Sequence, residues 1–251
     1  MSESPPPSLG LQGASPLEVV RAFVVHALTA SGAILAFLAF LDIEAGRFIA
    51  ALGWLTAALL IDGIDGPLAR LADVKRATPR IDGATLDLVV DYLTFVFLPA
   101  LLIYRAGLVP APLAAASVGA MLLSALYHYA RTDLKTPDCY FRGFPAFWNI
   151  VAFYLYVGRP GPTAGLAVIW VFALLTFLPV LFVHPVRVRD YRPWLPIAAV
   201  IWAVSSIALL LVPASGVAFA PLMAVSLAGV AVLLGAGLLR TVRGERRAAA
   251  A

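Results

Sequence analysis

The sequence predicts an all-α fold: a polytopic integral membrane helical bundle of about eight transmembrane helices. Hydrophobic residues make up 62% of the 251 residues and charged residues only 13%, with a mean hydropathy of +0.93, whereas soluble domains carry about 25% charged residues. Apolar runs also recur along the chain near the length of roughly 20 residues that a helix needs to cross the hydrocarbon core. They fall at about residues 17–41, 47–66, 83–104, 110–130, 144–158, 163–183, 194–213 and 217–239.

The elements follow in order. Residues 1–15, rich in Ser, Pro and Gly and without a basic start followed by a separate short apolar stretch, read as a disordered N-terminal tail and not as a signal peptide. Ser15-Pro16-Leu17-Glu18 has the form of a capping box with proline at the first helical position, which starts the first span. The second span ends in Asp62-Gly63-Ile64-Asp65-Gly66-Pro67-Leu68-Ala69-Arg70, and the third opens at Gly83 and carries Asp87 and Asp91. The fifth span is short, and the Pro137–Pro145 stretch before it reads as a loop with a brief apolar re-entry. Pro185 breaks the chain after the sixth. Residues 16–240 form a single transmembrane domain, and 241–251 a cytoplasmic C-terminal tail. The lone cysteine, Cys139, leaves no intramolecular disulfide to form.

Basic residues set the orientation, because short loops rich in Lys and Arg stay in the cytoplasm. Of the 18 Lys and Arg, only Arg47, Arg105 and Arg159 fall on one side; the others flank the opposite ends of the spans. This predicts a multi-pass membrane protein with both termini and the aspartate-rich ends in the cytoplasm. The sequence pI of about 9.5 is then a signal of topology and of attraction to anionic headgroups. No basic run interleaves with aromatics on a soluble face, which argues against nucleic-acid binding.

The aspartates need a chemical reason. Residues three or four apart share a helix face, so Asp62 and Asp65 converge on one helix, and Asp87 and Asp91 on the next. Four unpaired carboxylates near hydrocarbon would cost several kcal/mol, and a divalent cation neutralises them. Mg²⁺ and Mn²⁺ both suit an oxygen-only site. Gly66, Ala69 and Gly83 let a bulky ligand approach the backbone, and the Arg70 guanidinium suits phosphate. Carboxylates, metal and arginine together describe a pyrophosphate site. A proton relay, a salt-bridge network or a divalent cation path in a transporter are the competing readings, but a transporter should hold its acidic residues near the midplane on broken helices.

At these residues the chain resembles the CDP-alcohol phosphotransferase family, whose signature D-x-x-D-G-x-x-A-R followed by G-x-x-x-D-x-x-x-D is filled by Asp62, Asp65, Gly66, Ala69, Arg70, Gly83, Asp87 and Asp91. Twelve residues lie between Arg70 and Gly83, a longer gap than is usual in the family and similar to that of its bacterial phosphatidylcholine synthase branch. The likeness extends to Arg21-Ala22-Phe23 with His26, to Asp91-Tyr92, to Gly143-Phe144-Pro145 with Trp148-Asn149, and to Leu175-Thr176-Phe177-Leu178-Pro179 with His184-Pro185-Val186-Arg187-Val188.

The resemblance implies a single displacement in which choline attacks the β-phosphate of CDP-diacylglycerol, giving phosphatidylcholine and CMP; serine, inositol or glycerol phosphate is the alternative acceptor. It also implies two divalent ions, Mn²⁺ or Mg²⁺, held by Asp62, Asp65, Asp87 and Asp91. Asp91 doubles as the general base, while Asp62, Gly66, Ala69, Arg70 and Gly83 line the CDP pocket, and the chain is a homodimer among membrane lipid. A quaternary ammonium is recognised by aromatic faces, which makes Tyr127, Tyr129, Tyr140, Phe144 and Trp148 candidates for choline. These aromatics also suit a membrane interface. Arg187 suits either a lipid phosphate or a loop anchor, and Arg131, Lys135 and Arg142 read as topology determinants. His26, inside the first span, reads as one partner of an interhelical hydrogen bond.

Overall fold

The computed structural model describes residues 14–185 and 187–244. The expected N-terminal tail therefore lies almost wholly, and the C-terminal one largely, outside the described residues. Ten α-helices and one two-residue strand pair are present among them: α1 (Pro16–Glu44), α2 (Phe48–Leu71), α3 (Val74–Ala77), α4 (Gly83–Asp91), α5 (Leu98–Arg105), α6 (Ala111–Ala130), β1 (Phe141–Arg142), α7 (Trp148–Gly158), α8 (Pro162–Leu175), β2 (Leu181–Phe182), α9 (Trp194–Leu211) and α10 (Phe219–Arg243). The α4 helix runs through a wider π turn, Tyr92–Phe97, straight into α5. Pro99 explains the change of winding, since a proline inside a helix removes one N–H and its ring crowds the carbonyl four residues back.

Among the described residues, six helical stretches are long and apolar enough to cross a membrane: α1, α2, α4 through α5, α6, α9 and α10. The expected fifth and sixth spans appear as shorter apolar helices, α7 with 11 residues and α8 with 14. At 1.5 Å per residue these reach about 16 and 21 Å, less than the hydrocarbon thickness of about 30 Å. Local backbone conformation sets their ends. Gly143 and Ala146 take positive φ just before α7, and Arg159 and Gly161 do so just after it.

The outer surface of the bundle is apolar, as lipid requires. On α1, Val20, Phe23, Val24, Ile34 and Phe37 face outward, while the buried face carries Ala22, His26, Thr29, Gly32, Ala36 and Ala39 at helical spacing. Small and polar residues at the seam let membrane helices approach closely and bond across the interface. Gly32 illustrates the tolerance: a Cβ there would lie 2.5 Å from Val90 Cγ1.

The predicted capping box is formed, with Glu18 N–H donating to Ser15 Oγ and Ser15 N–H to Glu18 Oε2. The segment between α2 and α4 is strapped back onto α1. Arg76 pairs with Glu18, and His26 Nε2 and Thr78 Oγ1 lie 2.9 Å apart, so the partner of His26 is the residue that ends α3 and not one on a neighbouring span. At the opposite end, Asp42 accepts from both Arg47 and Trp54, and Arg105 pairs with Glu44.

One large apolar core joins α1, α2, α5, α6, α7 and α8, and a smaller cluster of Tyr140, Val183, Val188, Leu195 and Ala236 lies beneath the loops. The last two helices pair closely, since a Cβ on Gly229 would meet Trp202 Cβ at 2.7 Å. They are tied to α7 through Trp202 Nε1–H donating to Tyr154 Oη, with Ser226 and Ser206 continuing the chain of hydroxyls.

Candidate active site

The aspartates lie where the α2–α4 hairpin meets the loops. One carboxylate oxygen from each of Asp62, Asp87 and Asp91 lies within 4.8 Å of the others. Helix periodicity places Asp87 and Asp91 on one face of α4, and α1, which packs on both α2 and α4, holds the two acidic faces together. At an effective dielectric constant of about 20, each pair of charges at that separation repels by about 3.5 kcal/mol. Three all-oxygen donors at this spacing fit a hard divalent cation, which turns the repulsion into coordination.

Asp65 has a different setting. It is buried, and Thr29 Oγ1–H donates to its Oδ2 at 2.7 Å, fixing the carboxylate against α1.

The small residues of the signature meet different neighbours. Gly66 is open: a Cβ there would find only the guanidinium nitrogens of Arg70 at 3.6 Å and Arg187 at 3.9 Å. Two arginines, one from α2 and one from the loop before α9, thus share the space over Gly66. Gly83 is tight, with a Cβ placed 3.1 Å from the His26 ring, so this glycine lets α4 seat against α1. Ala69 is half-buried beside the exposed Arg70.

The five candidate aromatics divide. Tyr129 lies edge-on to Tyr92 with ring centroids 6.3 Å apart, and its phenol feels the charges of Asp91, Asp62 and Asp87. Tyr127 is exposed, tilted against Phe177, with the Arg131 guanidinium 5.7 Å from its ring. Phe144 and Trp148 are buried in the main core, 4.9 Å apart edge to face. Tyr140 is buried in the smaller cluster, where its hydroxyl donates to Asp190. Tyr92 enters the sequence reading only within the Asp91-Tyr92 segment of the family likeness, with no role given to it, because a neighbouring residue on a helix normally points elsewhere; the widened turn that begins at Tyr92 accompanies the contact with Tyr129.

The cations whose fields act most on Asp62 and Asp87 are Lys135 and Arg187, from two loops distant in sequence. The loops are joined by the β1–β2 pair, in register Phe141↔Phe182 and Arg142↔Leu181, and by Gly143 N–H donating to the Val180 carbonyl. No periodicity signals this junction.

A helical bundle with outward-facing apolar surface, and an acidic cluster ringed by arginine and lysine at one end, defines an integral membrane protein built for a metal-suited phosphate chemistry. Residues 22–181 match the CDP-alcohol phosphatidyltransferase family model, and the chain belongs to that family. Curated relatives bear it out. It is 44% identical over 187 residues to a protein of Agrobacterium fabrum, covering 74% of this chain and 78% of that one. It is 45% identical over 192 residues to one of Pseudomonas aeruginosa, covering 76% and 81%, and 37% identical over 171 residues to one of Legionella pneumophila, covering 68% and 67%. Each is named Phosphatidylcholine synthase.

Proposed function

We propose that this protein synthesises phosphatidylcholine by transferring the phosphatidyl group of CDP-diacylglycerol to choline, with release of CMP. The observation that carries the reading is the convergence of Asp62, Asp87 and Asp91 in a chain whose curated relatives are named for that product.

Asp62, Asp87 and Asp91 would hold the divalent cation, Mn²⁺ or Mg²⁺, with Asp65 on the adjoining turn of α2 as the further carboxylate of a two-ion site. When bound, the metal supplies charge neutralisation and orientation of the phosphate oxygens. Arg70 and Arg187, the two guanidiniums over Gly66, bind phosphate oxygens of the nucleotide and of the lipid. The reaction is in-line: the choline hydroxyl oxygen bonds to the β-phosphorus as the bond from that phosphorus to the CMP oxygen breaks. Asp91 takes the hydroxyl proton and later passes it to water. The hydroxyl loses its proton only as the new P–O bond forms, so the carboxylate acts by its position beside that oxygen.

Choline offers no N–H, and its acceptor pocket is supported at Tyr129, whose phenol feels the aspartate charges, with the Tyr92 ring edge-on to it. A quaternary ammonium gains from π faces and from diffuse negative charge. The positive-inside rule supports a cytoplasmic position for this end of the bundle and both termini, and the bacterial relatives support the inner membrane.

The test is transfer by the purified protein in detergent with Mn²⁺, offering labelled choline, serine, inositol and glycerol 3-phosphate in parallel, with an EDTA control. Choline-dependent, EDTA-sensitive phosphatidylcholine with stoichiometric CMP is the expected result. Product from another alcohol alone would overturn the acceptor, and no product from any alcohol would overturn the reaction.

A further inference from the structure

Two loops meet at the aspartate end through a single aromatic ring. The loop after α6 carries Lys135, whose Nζ sits 4.8 Å from the centroid of Phe141 and whose backbone bridges to the same residue. The loop after α8 carries His184, whose imidazole stacks on Phe141 at 5.7 Å with only 7° between the ring planes. Phe141 itself is in β1, paired with Phe182 of β2, so strand pairing fixes both loops to one another. Arg187 follows three residues after His184 and reaches across to Gly66 on α2.

Apart from the contact of Lys135 with Phe141, the polar atoms of Lys135 and His184 have little to hold them in place. Lys135 appears in none of the ion pairs among the described residues, yet its charge acts on Asp62 and Asp87 across the loop. The His184 Nδ1 is buried without a hydrogen-bond partner among the described residues, which is a costly state unless a ligand satisfies it. Burial first, and then the charges of Arg187, Lys135 and Arg70, hold that imidazole well below its ordinary value, at about 4. It is therefore a neutral donor or acceptor, not a fourth cation.

We infer that Lys135, His184 and Arg187 form a phosphate-binding clasp facing the aspartates, with Phe141 as the positioning residue that sets Lys135 and His184, and that the clasp grips the nucleotide-bearing phosphates of the CDP-lipid. The aspartates approach those oxygens only through metal; the clasp supplies direct donors, a point charge and a planar fork, from the opposite side. The inference rests on the proposed CDP-diacylglycerol reaction for the identity of the ligand. It goes beyond it in adding Lys135 and His184, on two loops outside the aspartate signature, to the Arg187 already placed there, and His184 and Arg187 lie beyond the region matched by the family model.

The experiment measures binding and turnover separately. Affinity for CDP-diacylglycerol is measured in nanodiscs with saturating Mn²⁺ and no choline, and steady-state transfer to choline is measured in parallel. Lys135→Met and Arg187→Gln should each weaken CDP-diacylglycerol binding by about tenfold or more, which corresponds to about 1.4 kcal/mol, and raise its KM while leaving the choline KM unchanged. Lys135→Arg should retain binding within about threefold. Phe141→Leu should reproduce the Lys135→Met defect with a normal gel-filtration profile, and Phe141→Tyr should restore it. If Lys135→Met and Arg187→Gln bind CDP-diacylglycerol like the parent, or if only kcat changes, the clasp is wrong while the reaction stands. If the variants lose binding but the parent transfers nothing to choline, the clasp stands and the acceptor is wrong.

Discussion

Gly143→Ala tests how the loops at the site are held. Gly143 takes φ +77°, and a Cβ there would lie 2.2 Å from the Thr176 carbonyl oxygen, 2.9 Å from its carbon and 3.2 Å from the Leu175 oxygen. All three are backbone atoms, so no side-chain rotation relieves the clash. The left-handed conformation costs alanine about 1–2 kcal/mol, and forcing backbone apart in a packed region adds about 1–3 kcal/mol. Two bonds also weaken: Gly143 N–H to the Val180 carbonyl at 2.8 Å and Phe144 N–H to the Leu175 carbonyl at 3.3 Å. A destabilisation of about 2–5 kcal/mol follows, or a fall of at least about 4 °C in the unfolding midpoint at roughly 2–4 °C per kcal/mol. Thermal unfolding in detergent measures it. Gly53→Ala, in α2 with no atom within 4 Å of the added carbon, is the control and should unfold at or slightly above the parent midpoint. Transfer should also fall in Gly143→Ala, because the displaced corner carries β1 and β2. A parent-like midpoint and full transfer would refute the role given to this contact.

Asp87→Asn should abolish transfer by at least about 100-fold, yet raise the unfolding midpoint in EDTA, because it removes one of three crowded carboxylates. The stabilisation by added Mn²⁺ should shrink in the same variant, and an undiminished Mn²⁺ shift would remove Asp87 from the metal site. Thr29→Val strips Asp65 of its 2.7 Å bond and should cost about 1–3 kcal/mol, the penalty for an unsatisfied buried acceptor, read as a lower midpoint. His184 is held neutral with a value of about 4, below its unfolded value of about 6.5. Its contribution to stability is complete above pH 6.5 and is lost as pH falls toward 4, since the unfolded chain takes up the proton first. His184→Gln should flatten that part of the stability profile, and an unchanged slope would place the acid sensitivity elsewhere. Tyr129→Leu should raise the choline KM by about tenfold with the CDP-diacylglycerol KM unchanged, and a parent-like choline KM would take Tyr129 out of the acceptor pocket.

Much of this was legible in the chain itself. Composition and apolar run length determine the membrane class, because a bilayer demands continuous hydrocarbon-matched segments whatever their packing. The aspartate signature is equally local: Asp62 with Asp65 and Asp87 with Asp91 share faces through helix periodicity alone, and Ser15 with Glu18 announces a helix start through a contact spanning three residues. Long-range geometry decided the rest. Sequence treats Tyr129, Tyr140, Phe144 and Trp148 as one group of interfacial aromatics, whereas packing sends Phe144 and Trp148 into the main core and Tyr140 into the second. Burial depends on neighbours from other helices, which no local pattern encodes. Lys135 reads as a charge that merely orients the protein in the membrane, and Gly83 as a gap for ligand. Only the ribbon joining residues 141–142 to 181–182 carries Lys135 and Arg187 toward the aspartates, and only the crossing of α4 with α1 fills the space at Gly83 with His26. Hydrophobic periodicity fixes what each helix is, and the meeting of distant loops fixes what the site can hold.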